Sequence, residues 1–196
     1  MKINYCGYAL ILLLLYICIK IYKESDTFNL KCIISNVDGK KYCVRERSKL
    51  VLAADRLANV NVKMGKLVKH CQEKYPIREN VKRLVAGYNP VKIMETLPTS
   101  EYTAYSQNKG EKMAFCLNTE KNGNQLIDAN TLTFVALHEL SHIATKSIGH
   151  KEEFWTNFKF LLEEASKIGI YEPIDYKKKP TRYCGTTIND NPYYDL

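Results

Sequence analysis

Residues 138–155, "HELSHIATKSIGHKEEFW", contain three of the four histidines in this 196-residue chain. His138 and His142 are four residues apart, so on a helix both imidazoles leave the same face and can reach one metal ion. Glu139 follows about 100° further around such a helix, which places its carboxylate beside the ion and not on it. The spacing therefore predicts a metal site with an adjacent carboxylate.

A third metal ligand is expected after the chain changes direction. His150 comes directly after Gly149, and glycine readily adopts the positive φ that ends a helix and turns the chain back. The alternative third ligand is a carboxylate on the following helix, Glu163 or Glu164. We favour the histidine, because neutral imidazole suits zinc. With three protein ligands and a position left for water, the pattern predicts a catalytic site with one Zn²⁺ per chain.

This set of residues is suited to hydrolysis of an amide bond. The zinc ion polarises the carbonyl and lowers the pKa of water, while Glu139, as general base, takes the proton and passes it to the leaving nitrogen. The alternative is that the histidines merely pack together, but packed polar rings need hydrogen-bond partners and gain nothing from this spacing. Three tyrosines follow within reach as oxyanion stabilisers, and nothing in the sequence selects one of Tyr171, Tyr176 and Tyr183.

The rest of the chain predicts helices and strands around this stretch. Apolar residues recur at three- and four-residue steps over residues 48–74, which is typical of a long amphipathic helix. Turn-forming residues at 38–39 and at 108–110 each lie between two β-rich runs and predict two hairpins.

The helix that carries the histidines is expected to begin at Asp128 or Asn130, since either side chain can cap it. A supporting helix follows over about residues 151–167. The order of elements predicts an α+β fold in a single domain, residues 31–170. Residues 171–196, rich in Tyr, Lys and Pro, are expected to form a mostly irregular C-terminal tail.

The N-terminus predicts a membrane segment. No residue from 3 to 19 is charged, and with its flanking lysines this run just reaches the ~17–25 residues that span a bilayer as a helix. A signal peptide is the alternative, but no small-x-small pair for cleavage follows. We therefore expect a transmembrane or signal-anchor segment at 1–23, in the membrane through residues 3–22, and a linker at 24–30. The lysines on either side favour a cytoplasmic catalytic domain in a single-pass membrane protein.

The formal net charge is +8, from 29 Lys plus Arg against 21 Asp plus Glu. The surplus is spread over the chain, apart from the basic run "YKKKPTR" at 176–182, which we interpret as a solvated or lipid-facing patch. Binding of nucleic acid is therefore not expected. The seven cysteines include no C-x-x-C pair, and those outside the N-terminal segment are interpreted mostly as small buried hydrophobes.

Two parts of the histidine stretch, "HELSH" and "GHKEEFW", resemble the SprT and WLM (Wss-like) zinc metallopeptidases. The resemblance implies a zincin-like domain: a long helix, a small β-sheet with an edge hairpin, the active-site helix and a supporting helix. It also implies that the three histidines are the zinc ligands and that Glu139 is the general base. The strand at 112–118 would be the edge that pairs with an extended substrate. Its candidate substrate-binding residues are Met113, Ala114, Phe115 and Cys116.

The whole chain is also similar to membrane-anchored, metallopeptidase-like proteins of large DNA viruses, which implies a virion or a host membrane as its location. Together these expectations describe a membrane-anchored zinc metalloendopeptidase that acts on a protein or peptide substrate. Two other functions stay open. One is a catalytically inactive membrane or virion protein that keeps zinc for folding. The other is a protease that degrades proteins crosslinked to DNA, as several SprT and WLM proteins do.

Overall fold

The structure, a computed structural model, describes residues 5–24 and 30–195. These residues form a mixed α+β domain, which confirms the predicted fold class. Its helices are α1 (Tyr5–Glu24), α2 (Leu50–Lys74), α3 (Glu79–Gly87), α4 (Ala129–Ala144) and α5 (Glu152–Lys167). Its strands are β1 (Leu30–Ile34), β2 (Lys41–Arg45), β3 (Ile93–Glu95), β4 (Ala104–Gln107), β5 (Lys112–Phe115), β6 (Thr181–Tyr183) and β7 (Thr186–Ile188). A short 3-10 helix, Pro192–Tyr194, follows.

The main sheet has five strands in the order β1-β2-β3-β5-β4. Both predicted hairpins are confirmed, because β1 pairs with β2 and β4 pairs with β5 in antiparallel registers. The central pairs, β2 with β3 and β3 with β5, are parallel. Among the described strands, β4 pairs only with β5, so β4 is the sheet edge that faces the histidine helix.

The prediction that residues 113–116 lie on a substrate-binding edge is wrong. Strand β5 lies between β3 and β4, and the side chains of Met113, Ala114, Phe115 and Cys116 are fully buried. A run of alternating residues identifies a strand, but its place in a sheet depends on which backbone partners it meets in the folded chain. The edge strand is β4, the other arm of the same hairpin.

Helix α4 occupies the centre of the domain, packed against α2, α3, α5 and β4. Its first turn is capped by the side chain of Asp128, which accepts hydrogen bonds from the backbone N–H groups of Asn130 (2.9 Å) and Thr131 (2.8 Å). This settles the choice of cap in favour of Asp128. Phe134 on this helix packs against Phe158 of α5 and Tyr176, with ring centroids 5.2 and 4.9 Å apart. The helix that carries the site is therefore fixed by the core on almost every side.

Residues 171–195 pack onto the same core. They form the β6–β7 hairpin, and Tyr171, Tyr176 and Tyr183 are buried among the core side chains. A disulfide joins Cys116, just after β5, to Cys184 in this segment. A second disulfide joins Cys32 to Cys43 across the first hairpin. Cys71, Cys116 and Cys184 are buried, as interpreted, whereas Cys32 is exposed and Cys43 is half-buried. The two disulfides were not predicted, and Cys71 is free.

Among the described residues, no helix is long and apolar enough to cross a membrane. By this finding the predicted single-pass membrane protein, with its anchor at 1–23, is wrong. Residues 1–4 and most of the predicted linker, 25–29, lie outside the described residues.

Candidate metal centre

The structure brings together the three histidines that the sequence singled out. His138 and His142 project from one face of α4, and the turn after that helix returns the chain so that His150 meets them. Gly149 has φ +80°, the left-handed conformation expected of it. The ring centroids of His138 lie 5.0 Å from those of both other histidines, and His142 and His150 are 4.9 Å apart. One potential ligand atom from each residue lies within 4.8 Å of the others.

This donor set fits a zinc ion. The Nε2 atoms of His138 and His150 are 3.1 Å apart, close to the ~3.3 Å separating two nitrogens that share a tetrahedral zinc at ~2.0–2.1 Å. Burial, and then the neighbouring histidines, lower the pKa of His138 to about 3. Burial, followed by His150 and Lys109, lowers the pKa of His142 to about 4. Both rings are thus neutral at physiological pH, the form in which imidazole binds a metal.

Two aromatic residues at the start of α5 contact the histidines. The ring of Phe154, fully buried, lies 4.4–4.9 Å from all three imidazole rings. The indole N–H of Trp155 donates a hydrogen bond to the backbone oxygen of His150 (3.1 Å). These supports were not predicted as part of the site. The signal available in the sequence was an aromatic pair four residues after the last histidine of the motif.

Glu139 lies next to the metal-binding face, with only 4% of its surface exposed. Burial raises the pKa of its carboxyl to about 8, against a smaller lowering by a hydrogen bond from the backbone N–H of Ser106 on β4. A carboxylate this poorly solvated gains from accepting a proton, which is the property required of a general base.

The four residues open into one cleft of about 1550 Å³. Its walls are strand β4 with the hairpin tip at 108–109, helix α4, the turn at 148–150, and the C-terminal segment from Tyr183 to Pro192. Of the three tyrosines considered as oxyanion stabilisers, Tyr183 lines the cleft, and Tyr171 and Tyr176 do not. The Tyr183 hydroxyl donates a hydrogen bond to the backbone oxygen of Thr103 (3.1 Å), and burial raises its pKa.

The alternative third ligands lie elsewhere. The metal-ligating cluster found within the described residues consists of the three histidines, without Glu163 or Glu164. The carboxylate of Glu164 instead accepts hydrogen bonds from His70, Lys74, Tyr75 and Lys167. The fourth histidine of the chain, His70, therefore belongs to this hydrogen-bonded cluster and not to the metal-binding candidates.

Fold and site together define an α+β domain with a cluster of three histidines that could hold a metal ion and a buried glutamate beside it. No family model matches the sequence. The chain belongs to the same family as the uncharacterized protein R325 of Acanthamoeba polyphaga mimivirus, with 30% identity over 161 residues, 80% of this chain and 81% of that protein.

Two shorter matches are also viral. Uncharacterized protein 136R of Invertebrate iridescent virus 6 is 35% identical over 75 residues, 38% of this chain and 41% of that protein. Uncharacterized protein 042R of Invertebrate iridescent virus 3 is 34% identical over 99 residues, 50% of this chain and 55% of that protein. These relatives agree with the viral part of the resemblance noted in the sequence.

Among solved structures, the crystal structure of Wss1 from Saccharomyces cerevisiae is similar over 56% of this chain and 76% of that one. The TM-score is 0.39 and the identity 15%. A likeness this distant carries no conclusion about activity.

Proposed function

We propose that this protein is a zinc-dependent metallopeptidase that hydrolyses peptide bonds, with His138, His142 and His150 as zinc ligands and Glu139 as general base. The observation that carries the proposal is the convergence of three ligand nitrogens within 4.8 Å beside a buried carboxylate, in an open cleft. A zinc ion that only stabilises the fold gains nothing from that carboxylate, whose burial is costly. Catalysis explains why it is there.

The chain's own residues supply the proton transfers. Zinc, when bound, would polarise the scissile carbonyl and lower the pKa of water. The carboxylate of Glu139 has a raised pKa and lies at the cleft. There it can accept the proton of the attacking water and pass it to the leaving amine. Because the pKa values of His138 and His142 are lowered and their imidazoles are neutral, Glu139 is left as the acid–base group beside them.

The free edge of β4 supports an extended polypeptide as the substrate. Residues 104–107 of this strand line the cleft along their length, and Ser106 at their centre contacts Glu139 through its backbone N–H. A peptide added to this edge as a further strand would pass directly over the site. The cleft, at about 1550 Å³, also exceeds the ~300–1000 Å³ typical of small-molecule pockets.

The charge distribution favours protein over nucleic acid as the partner. The basic run at 176–182 is largely neutralised within the molecule. Lys177 pairs with both Asp190 and Asp195, at 3.1 and 3.0 Å. The other pairs are Lys178 with Asp175 and Arg182 with Glu120. Little of this charge is left to neutralise phosphates, which is the main source of affinity for DNA.

The proposal is tested by metal content and hydrolysis on the full chain. Elemental mass spectrometry after loading with zinc should find about one zinc per chain in the wild type. His150→Ala should lose it, whereas the matched control, His70→Ala, should retain it. The zinc-loaded wild type should also cleave an unfolded protein such as casein, and a chelator should stop it. Absence of zinc in a folded wild type, or hydrolysis that survives the chelator, would refute the proposal.

A further inference from the structure

The segment that delivers His150 to the site makes few apolar contacts of its own. Residues 145–150 join α4 to α5 without regular secondary structure. The side chain of Ile148 is 86% exposed, and a Cβ added to Gly149 would meet no atom within 4 Å. Apart from the ring of His150, which lies against Phe154 and Trp155, packing therefore does little to fix this turn. The position of the residues before His150 has to come from polar contacts.

Lys109, at the tip of the β4–β5 hairpin, supplies three of these contacts. Its ammonium group donates hydrogen bonds to the backbone oxygens of Thr145 (2.6 Å), His142 (3.0 Å) and Ser147 (3.1 Å). These carbonyls belong to the end of α4 and the turn beyond it, where helix oxygens lack intrahelical partners and the helix dipole favours a cation. One side chain thus ties a metal-binding residue to the turn that carries another.

Glu153, in the first turn of α5, holds the same turn from the other side. Its carboxylate accepts hydrogen bonds from the backbone N–H of Lys146 (3.0 Å) and from the N–H and hydroxyl of Ser147 (3.2 and 3.1 Å). Arg83 of α3 bonds both this carboxylate (3.1 Å) and the backbone oxygen of Ala144 (2.7 Å). Side chains from the β4–β5 hairpin, α5 and α3 therefore hydrogen-bond to the turn or to the end of the helix before it.

The hairpin tip that carries Lys109 is itself fixed. Lys109 has φ +56°, a conformation uncommon outside glycine. Gly87, at the end of α3, lies so close to the tip that a Cβ on it would collide with the backbone oxygen of Lys109. A Cβ on Gly110 would likewise collide with the backbone oxygen of Gly87. Only glycine at positions 87 and 110 permits this close contact between the end of α3 and the hairpin tip. The contact places the side chain of Lys109 next to the end of α4.

We propose that Lys109 is a positioning residue that, with Glu153 opposite it, holds His150 in place and so sets the metal affinity of the site. The inference rests on the proposed zinc site, since it assigns to these residues a role in holding a ligand. Lys109 does not touch the metal or the reacting atoms. It acts through the backbone of residues 142–147.

The experiment compares the full chain carrying Lys109→Met with wild type, with the rescue variant Lys109→Arg, and with Lys92→Met as matched control. The ammonium group of this control lysine pairs with Glu111 across the surface, at 3.5 Å. The zinc dissociation constant is measured by competition with a chelator. Amide hydrogen exchange over residues 145–150 is followed in the metal-free protein.

Lys109→Met should weaken zinc binding ~10-fold or more, in the range found for residues that orient metal ligands, and should speed exchange in the turn. Lys109→Arg should recover part of both, and Lys92→Met should match wild type.

Unchanged affinity and unchanged exchange in a folded Lys109→Met protein would overturn the inference while leaving the proposed function intact. A wild type that binds no zinc would overturn both. If Lys109→Met does not fold, Glu153→Gln decides on the same two measurements, because it removes the charge that holds the turn from the other side.

Discussion

Two clusters in this protein combine histidine with a buried glutamate, and they are built in opposite ways. In the His70–Glu164 cluster (His70, Lys74, Tyr75, Glu164 and Lys167), both carboxylate oxygens accept two hydrogen bonds each. In the candidate metal centre, the carboxylate of Glu139 accepts a hydrogen bond from the backbone N–H of Ser106, and the three imidazoles face one another. The same residue types are fully partnered in one place and poorly partnered in the other.

The two carboxyl groups differ accordingly in pKa. Burial tends to raise the pKa of Glu164, but the hydrogen bonds from Lys167, His70, Lys74 and Tyr75 outweigh it and lower the pKa to about 2. Burial also raises the pKa of Glu139, and because only one hydrogen bond lowers it, the pKa rises to about 8. A glutamate whose oxygens are all occupied cannot take a proton near neutral pH, whereas an under-partnered one can. The difference separates a structural ion cluster from a candidate catalytic one.

The largest expected effect is on catalysis. Glu139→Gln should lower kcat/KM for peptide hydrolysis ~10²–10⁴-fold, because it removes the general base. The matched change in the other cluster, Glu164→Gln, should leave kcat/KM close to wild type at a temperature where the variant stays folded. Steady-state kinetics on zinc-loaded proteins checks both. Equal losses from the two substitutions would abolish the functional distinction between the clusters.

The second prediction concerns the covalent tie that the metal centre has and the His70–Glu164 cluster lacks. The Cys116–Cys184 bond spans 68 residues and holds Tyr183 in the cleft wall. Replacing both cysteines by serine should lower the free energy of unfolding by about 4 kcal/mol, through the entropy regained by the unfolded chain. The Cys32–Cys43 bond closes a much shorter loop, and its loss should cost about 3 kcal/mol.

Urea unfolding of the two double variants measures these costs. Peptide hydrolysis, assayed where both are folded, should fall only when the Cys116–Cys184 bond is removed, since Tyr183 borders the site. A larger stability loss from the shorter loop would contradict the entropic argument.

Stability should respond to the two glutamates in opposite ways. Glu164→Gln should lower the free energy of unfolding by about 2 kcal/mol, because it weakens the hydrogen bonds from the charged groups of Lys74 and Lys167 to a side chain that is 1% exposed. Glu139→Gln in the metal-free protein should cost nothing or stabilise, because it removes a poorly partnered buried carboxylate. Urea titrations of the two variants beside wild type make the comparison. A loss of stability in Glu139→Gln as large as that in Glu164→Gln would show that both carboxylates are structural.

The smallest effect is a dependence on acid pH. The pKa of Glu164 is about 2 in the folded protein and 4.5 without the fold. Between these values the unfolded state binds the extra proton, so the stability contributed by Glu164 is complete above about pH 4.5 and is lost as pH falls through about 2. The difference in unfolding free energy between wild type and Glu164→Gln should therefore shrink from about pH 6 to about pH 3. A constant difference over that range would contradict the lowered pKa.

Much of the local structure could be predicted from the sequence. The helix over 48–74, the two hairpins and the helix pair around the histidines are confirmed almost to the residue. Amphipathic periodicity and turn-forming residues act over a few positions, and the sequence shows them directly. For the same reason the helical repeat predicted that His138 and His142 lie on one face of a helix.

Other features depend on contacts between distant parts of the chain. The sequence pattern identified β5 as a strand but misplaced it at the sheet edge, because strand order is decided by partners far away in sequence. The pairing of Cys116 with Cys184 joins residues 68 positions apart. Lys109 reaches the end of α4 across 33 residues or more, and no local pattern marks such a contact. The apolar N-terminal run was interpreted as a membrane anchor from its composition, whereas no helix of the described residues combines the length and the apolar character that a span requires.

The sequence by itself determined the chemistry of this protein: three imidazoles and a carboxylate at a helical spacing, with glycine placed where the chain must turn. Only the tertiary structure decided what surrounds them. In the folded chain residues 104–107 form the edge strand, and Lys109 and Glu153 lie on either side of the turn to His150. Glu139 is buried with few hydrogen-bond partners, whereas the carboxylate oxygens of Glu164 are fully hydrogen-bonded. The physical reason is that residue type and spacing fix which groups can react, whereas burial and hydrogen-bond partners, supplied by distant segments, fix their pKa values and their geometry.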